Sequence, residues 1–478
     1  MIKKCCFLFF TVALFPTITL AADIYVDSTL ASDCAGNYSI VSHDCSGSDG
    51  VAYNTIQEAE TASRVDDIIL LRGGTYNESV IFKDVVNRGT SWDNPITYRP
   101  YNNEKVILKY PEPCATTWND DACSQIFQFY DYLPYHDPAD YLIFEDFEFD
   151  GDMDINAATE SYLPESAHNA HFGVGNSSAD VPSSEIHVKV INCKFHAFAH
   201  AGLKGNIAFF IRNTEFYDIG LSRFDHGIYS TAGNLDARYN YFHDIAGHGL
   251  QRFGVQTGYT VDIGYNVFRN CGTIGDWDRG GVVSSSTDTK IFNNIFDGGN
   301  LGVLMYAGSL GKMSNWEVKN NIFINNIFSD IHVTSNNNYD GTENNVFTNN
   351  IYGSTYACKI YVLGETVFTC SNYSGIADFD DVPPNSTTLP TFITAAPADW
   401  NEYSQSYASS GVNTGADLGT GYEYGLSSSD TIWPPTVIDQ GLYGTGWEIG
   451  PFVYIGYKRP SLGGILPTVN GKIPALAQ

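Results

Sequence analysis

Apolar and polar positions alternate in short runs along much of the chain, and between residues 186 and 352 one run recurs. Its copies are Val190-Ile191-Asn192-Cys193-Lys194-Phe195, Ile211-Arg212-Asn213-Thr214-Glu215-Phe216, Ala237-Arg238-Tyr239-Asn240-Tyr241-Phe242, Ile263-Gly264-Tyr265-Asn266-Val267-Phe268, Ile291-Phe292-Asn293-Asn294-Ile295-Phe296, Val318-Lys319-Asn320-Asn321-Ile322-Phe323 and Asn344-Asn345-Val346-Phe347. Successive phenylalanines are 21, 26, 26, 28, 27 and 24 residues apart. A period of two within each copy predicts a strand with one buried face. Two residues before each phenylalanine stands a polar slot, filled by Cys193, Thr214, Asn240, Asn266, Asn294, Asn321 and Asn345. Stacking the copies makes that slot an asparagine ladder.

A second strand follows most copies and opens on glycine: Gly202-Leu203-Lys204, Gly227-Ile228-Tyr229, Gly249-Leu250-Gln251, Gly281-Val282-Val283 and Gly302-Val303-Leu304, with Ile331-His332-Val333 lacking the glycine. Two or more strands in each turn of about 25 residues predict a parallel solenoid, with function on the face that carries the variable loops. Upstream, Tyr53-Asn54-Thr55-Ile56-Gln57-Glu58-Ala59 has helical periodicity and predicts a short helix capping the solenoid's open end. The expected organisation is a signal peptide over 1–22, a cap with the first coils over 23–110, and the body over 111–352 with a loop insertion near 151–185. The last coils and a tail packed on them follow over 353–478.

Composition narrows the class. With 43% hydrophobic and 14% aromatic residues but only 17% charged, the chain is built to bury surface, and its 45 glycines suit a fold of many turns. Lys3 and Lys4, an apolar run from Cys5 to Leu14 and small residues at Ala21 and Ala22 read as a secretory signal, placing the mature protein outside the cell or in a periplasm. Removing the signal takes two lysines and no acid from a net charge of −29, so the mature body is more acidic still. Nucleic acid and anionic membranes are therefore poor partners, and a monomer is expected. Export makes local disulfides the expectation for Cys34 with Cys45, Cys114 with Cys123 and Cys358 with Cys370, leaving Cys193 and Cys271 as buried thiols.

Ile24-Tyr25-Val26-Asp27, Ile68 to Leu71, Arg72-Gly73-Gly74-Thr75-Tyr76, Pro95-Ile96, the repeat and the closing Trp447-Glu448-Ile449-Gly450 together resemble secreted right-handed parallel β-helix proteins of the polysaccharide lyase type. The resemblance implies an all-β, single-stranded right-handed parallel β-helix with a short N-terminal capping helix. It also implies a sugar-binding groove along one sheet, as in alginate, pectate and chondroitin lyases.

Charge locates the candidate chemistry. Residues 188–279 hold nine Lys and Arg against eight Asp and Glu, and five of the eleven His, within an otherwise strongly acidic chain. Such a patch steers an acidic substrate to one place. Aligned on their glycines, Lys204, Tyr229, Gln251 and Val283 form one column; His226 and His248 precede the glycine on adjacent coils, and His200 lies one coil earlier. Cleaving a uronate polymer by β-elimination needs a carboxylate neutraliser, a base for the C5 proton and a donor for the leaving oxygen. Arg252 or Arg279 suits the first role, Lys204 or His226 the second, and Tyr229 or His248 the third. The expected catalytic set is Lys204, His226, Tyr229, His248 and Arg252, with His200, Gln251, Trp277 and Arg279 binding substrate. A glycoside hydrolase using Asp225, Asp276 or Asp278, or a non-catalytic glycan-binding or adhesive β-helix, are the alternatives. No cofactor follows from these residues. Asp150-Gly151-Asp152-Met153-Asp154 alternates acids as calcium loops do but lacks the remaining ligands of one, so a solvated acidic turn is the plainer reading and calcium stays open.

Overall fold

The computed structural model describes residues 22–82, 89–111, 125–129, 140–152, 172–175, 186–254, 258–274, 278–306, 314–334, 344–353, 359–362, 365–369, 379–380, 386–406, 408–443 and 445–455. Residues 1–21 of the expected signal peptide, most of the expected loop insertion near 151–185, Asp276, Trp277, and the cysteines at 114, 123, 358 and 370 lie outside these residues.

Among the described residues, parallel sheets of 13, 10 and 9 strands run the length of the body. One coil shows the construction: Ala208–Arg212 belongs to the thirteen-stranded sheet, Glu215–Ile219 to the ten-stranded and His226–Ser230 to the nine-stranded, before Leu235–Arg238 returns to the first. The chain is a right-handed parallel β-helix, and each strand pairs with the equivalent strand of the coil above and below.

The recurring phrase is the corner between the first two sheets. Asn192, Asn213, Tyr239, Tyr265, Asn293, Asn320 and Asn349 all turn there with φ between 52° and 62°, the left-handed region that asparagine tolerates best. The next residue points inward and builds the ladder. Asn240, Asn266, Asn294 and Asn321 each donate through Nδ2 to the Oδ1 of the following member at 3.0 Å, the last reaching Asn350. Each Oδ1 also accepts the preceding member's backbone N–H, so the buried amides are paired throughout.

The structure corrects one copy. Asn345 does not continue the ladder: it begins the strand Asn345–Thr348, whose Phe347 pairs opposite Val318 in the thirteen-stranded sheet. Its Oδ1 accepts from Trp316 N–H instead. Asn350 fills the ladder slot, and Tyr352 fills the ring slot opposite Phe323. Asn344-Asn345-Val346-Phe347 imitates the phrase, but the corner comes at Asn349, whose φ is 54°.

Phenylalanine and glycine columns explain each other. Phe149, Phe195, Phe216, Phe242, Phe268, Phe296 and Phe323 stack ring on ring with centroids 4.3–5.1 Å apart. Gly173, Gly202, Gly227, Gly249, Gly281 and Gly302, at the starts of six strands of the nine-stranded sheet, face this stack. A Cβ at Gly202 would sit 2.8 Å from Phe216 Cδ1, and one at Gly249 2.6 Å from Phe268 Cδ1. No side chain fits there without displacing a ring.

The capping helix Ile56–Ala62 is present. Thr55 caps it, the Glu78 carboxylate accepts from Ile56 and Gln57 N–H, and Ile56 and Ala59 close the end of the core. The Cys34–Cys45 disulfide staples the adjoining loop, and Cys193 and Cys271 are buried free thiols. Residues 386–455 lie along the body: Trp400, Tyr403, Leu426, Ile449 and Phe452 pack on Tyr239, Tyr265, Val267, Ile295 and Ile322. The closing Trp447-Glu448-Ile449-Gly450 segment docks on the corner asparagines, where Asn293 Nδ2 donates to the Glu448 and Gly450 carbonyls. No helix among the described residues is long and apolar enough to cross a membrane.

Candidate active site

The nine-stranded sheet carries the candidate residues in register: Lys204 pairs opposite Tyr229, Tyr229 opposite Gln251, and Gln251 opposite Val283. Pairing skips the glycine between Ala201↔His226 and Leu203↔Ile228. Because Gly227 and Ile228 both lie against the core, His226 and Tyr229 emerge on the same side, with ring centroids 5.5 Å apart. His248 stacks on the next coil at 5.3 Å from His226, and His200 sits 6.4 Å from His226 and 6.1 Å from Tyr229. The Lys204 ammonium lies 5.5 Å from the Phe172 ring and 6.0 Å from that of Tyr229.

Backbone hydrogen bonds fix the histidine tautomers. His226 Nδ1 accepts from His248 N–H at 3.0 Å, and His248 Nδ1 accepts from Gly280 N–H at 3.2 Å. Each neutral ring therefore carries its proton on Nε2. Burial holds both rings well below the usual histidine range, aided by electrostatic repulsion from neighbouring basic groups: the His248 and His200 rings, Arg279 and Lys204 for His226, and Arg279 for His248. They are neutral N–H donors near pH 7. His200 has the other arrangement, with Nδ1 3.0 Å from Asp225 Oδ1, so that this nitrogen carries a proton toward the carboxylate. Asp225 is fully buried, and its second oxygen accepts from Leu221 and Ser222 N–H.

Burial pushes Lys204 down to about 8 against the opposing pull of the Asp225 carboxylate, and burial raises Tyr229. A partly deprotonated amine therefore stands next to a protonated phenol.

Arg279 reaches the group: its charge acts on both His226 and His248, while its Nε donates to the Arg223 carbonyl at 2.6 Å and it pairs with Asp278 at 2.7 Å. Arg252 does not join them. It follows Gln251 by one position, so it shares the inward side with Leu250; it is fully buried and donates to the Ser230 and Ser286 hydroxyls. Trp277 and Asp276 fall outside the described residues.

Several features surface only in three dimensions. Phe172 backs Lys204, and Asp225 orients His200. Exposed apolar residues mark both rims of this sheet: Phe224, Ile274 and Ile327 ahead of its strands, and Phe253 and Tyr306 at their far ends. The only signal for the His200 and Asp225 pair was their separation of one coil, 25 residues. As for metals, no group of three or more His, Cys, Asp or Glu among the described residues is placed to hold an ion. Asp150 and Asp152 share the Lys109 ammonium, each at 2.8 Å.

No protein-family model and no curated protein matches this chain. Solved structures do. The chain is similar to an alginate lyase from Paenibacillus sp. str. FPU-7 at 16% identity and a TM-score of 0.37, over 65% of this chain and 89% of that one. It is similar to pectate lyase Pel9A at 14% identity and a TM-score of 0.43, over 91% and 96%. A GH136 lacto-N-biosidase from Eubacterium ramulus matches at 12% identity and a TM-score of 0.45, over 76% and 67%.

Proposed function

We propose that the protein is a secreted polysaccharide lyase that cleaves a uronate-containing glycan by β-elimination. The observation that carries this reading is the Lys204 and Tyr229 pair, in register on adjacent coils beside two buried imidazoles whose backbone-bonded Nδ1 leaves the proton on Nε2.

In the proposed reaction the Nε2–H groups of His226 and His248, within the field of Arg279, bind the uronate carboxylate and stabilise the charge that develops as C5 loses its proton. Neutral imidazoles serve as donors here without surrendering a proton. The Lys204 amine takes the C5 proton. The C5–H electron pair becomes the C4–C5 double bond, the C4–O bond breaks, and the departing glycosidic oxygen takes the Tyr229 phenol proton. The depressed Lys204 pKa near 8 suits a base working near neutrality. In this scheme His226 is a donor rather than the base, because its Nδ1 is occupied and its Nε2 is protonated.

Hydrolysis through Asp225 is disfavoured, since both of its oxygens are committed and the carboxylate is buried. Asp278 pairs with Arg279. The test is incubation with alginate, pectate, chondroitin and ulvan, following the ultraviolet absorbance of an unsaturated uronate end. New reducing ends without that absorbance would replace the lyase with a hydrolase, and neither signal would leave a glycan-binding protein.

A further inference from the structure

The groove changes character partway along its length. The coils whose strands are Ala201–Gly205, His226–Ser230 and Leu250–Arg252 present Lys204, Tyr229, Gln251 and the three histidines. The column then continues through Val283 and Leu304, which form a buried apolar cluster with Leu301 and Phe328. Residues 280–289, 299–306 and 325–334, which build the next three coils of this sheet, contain no lysine or arginine.

At the rim of this second stretch stand Phe253 and Tyr306, 42% and 38% exposed. Their rings lie 22° from parallel with centroids 6.4 Å apart. Phe253 belongs to the coil after Tyr229 and Tyr306 to the second coil beyond that, so the pair reaches about 5–14 Å along the axis from the candidate chemistry. Two exposed, near-parallel aromatic rings at the rim of the sheet that carries the candidate residues bury apolar surface only when something covers them. The C–H face of a pyranose fits them.

Charge then selects which pyranose. On a chain of net charge −29, a carboxylate seated on these described strands, which carry no lysine or arginine of their own, is repelled rather than neutralised. We infer that Phe253 and Tyr306 form a subsite for an uncharged sugar, so that the substrate is a copolymer in which uronates are flanked by neutral residues rather than a polyuronate. This inference rests on the lyase reading for the position of the uronate, but not on turnover.

The test is therefore a binding measurement. Affinity electrophoresis in gels containing desulfated chondroitin, which alternates glucuronate with an uncharged sugar, is set against gels containing alginate, a polyuronate. The chain should bind desulfated chondroitin more tightly, and F253A/Y306A should weaken that binding by about tenfold while changing alginate binding by less than about twofold. Y306F, which keeps the ring, should retain it. Equal losses on both polymers, no loss on desulfated chondroitin, or tighter binding to alginate would each overturn the inference, as would binding to neither polymer. Circular dichroism of the variants separates lost folding from lost binding. Failure of the lyase reading shows differently, as the absence of unsaturated product from the unsubstituted protein.

Discussion

Two columns of polar side chains climb this β-helix, and they are opposites in chemical state. At the corner, Asn240, Asn266, Asn294, Asn321 and Asn350 repeat one residue, and each amide is matched by the next. On the nine-stranded sheet, Lys204, Tyr229 and Gln251 occupy one register with a different residue on every coil, flanked by His226 and His248. A repeated polar column satisfies itself and stabilises the stack. A column that never repeats cannot do so, and burial holds its amine and the flanking imidazoles away from their ordinary titration ranges. In a solenoid, broken repetition on a face of otherwise constant geometry is thus a marker of chemistry.

The sharpest way to separate the columns is to substitute each and read both activity and stability. Tyr229→Phe or Lys204→Met should lower turnover by about 10²–10⁴-fold, the usual yield of a positioned acid or base. Thermal stability should stay close to that of the unsubstituted protein. A variant that melts early would move these residues into the structural class, and full activity would remove their roles.

Asn294→Ala should do the reverse. It strands the Asn266 backbone N–H and one of its two amide hydrogens, both of which donate to Asn294 Oδ1, and removes the donor to the Ile263 carbonyl. Leaving such groups buried and unpaired costs about 3 kcal/mol. Denaturant unfolding should show that loss, with unchanged activity per folded molecule at low temperature. A loss under about 0.5 kcal/mol would mean that the ladder is ornamental.

These expectations show what was legible in the sequence. The corner and its ladder were visible because the phrase repeats, and the one slip, Asn345 for Asn350, came where a strand imitated the phrase. Lys204, Tyr229 and Gln251 could be aligned because glycine marks the start of each strand, and the marker works because Phe216, Phe242 and Phe268 leave no room for a Cβ. The shared face of His226 and Tyr229 depends on a skipped pairing at Gly227, which simple alternation does not reveal. The tautomers depend on backbone N–H groups one coil away, and the Phe253 and Tyr306 rim depends on which residues the stacked coils leave uncovered.

A pH series sharpens the comparison more gently. If Lys204 is the base, kcat/KM should rise with pH, up to about tenfold per unit, and level off above about 8 as the amine loses its proton. Stability carries the same signature. The folded state holds this amine near 8 against an ordinary 10.5, so between those values the unfolded chain binds the extra proton and stability should increase with pH. Below about 8 the amine is protonated in both states and the burial penalty is constant. Lys204→Met should abolish that increase while the Asn294→Ala variant keeps it; an increase of the same size in Lys204→Met would assign it to another group.

The smallest expected effect is at Arg252, next in sequence to the groove yet turned away from it. Its guanidinium meets two serine hydroxyls and no carboxylate among the described residues, and burial lowers its pKa to about 10, with Tyr259 opposing. A buried cation with such partners adds little to stability, and an apolar side chain of similar length fills the same space. The Ser230 and Ser286 hydroxyls keep nearby carbonyl acceptors at Ala232 and Gly254. Arg252→Met should therefore change kcat/KM by less than about twofold and stability by no more than about 1 kcal/mol. A loss of activity approaching that of Tyr229→Phe, without loss of stability, would bring Arg252 back to the substrate carboxylate and break the division between inward and outward positions on which the two-column comparison rests.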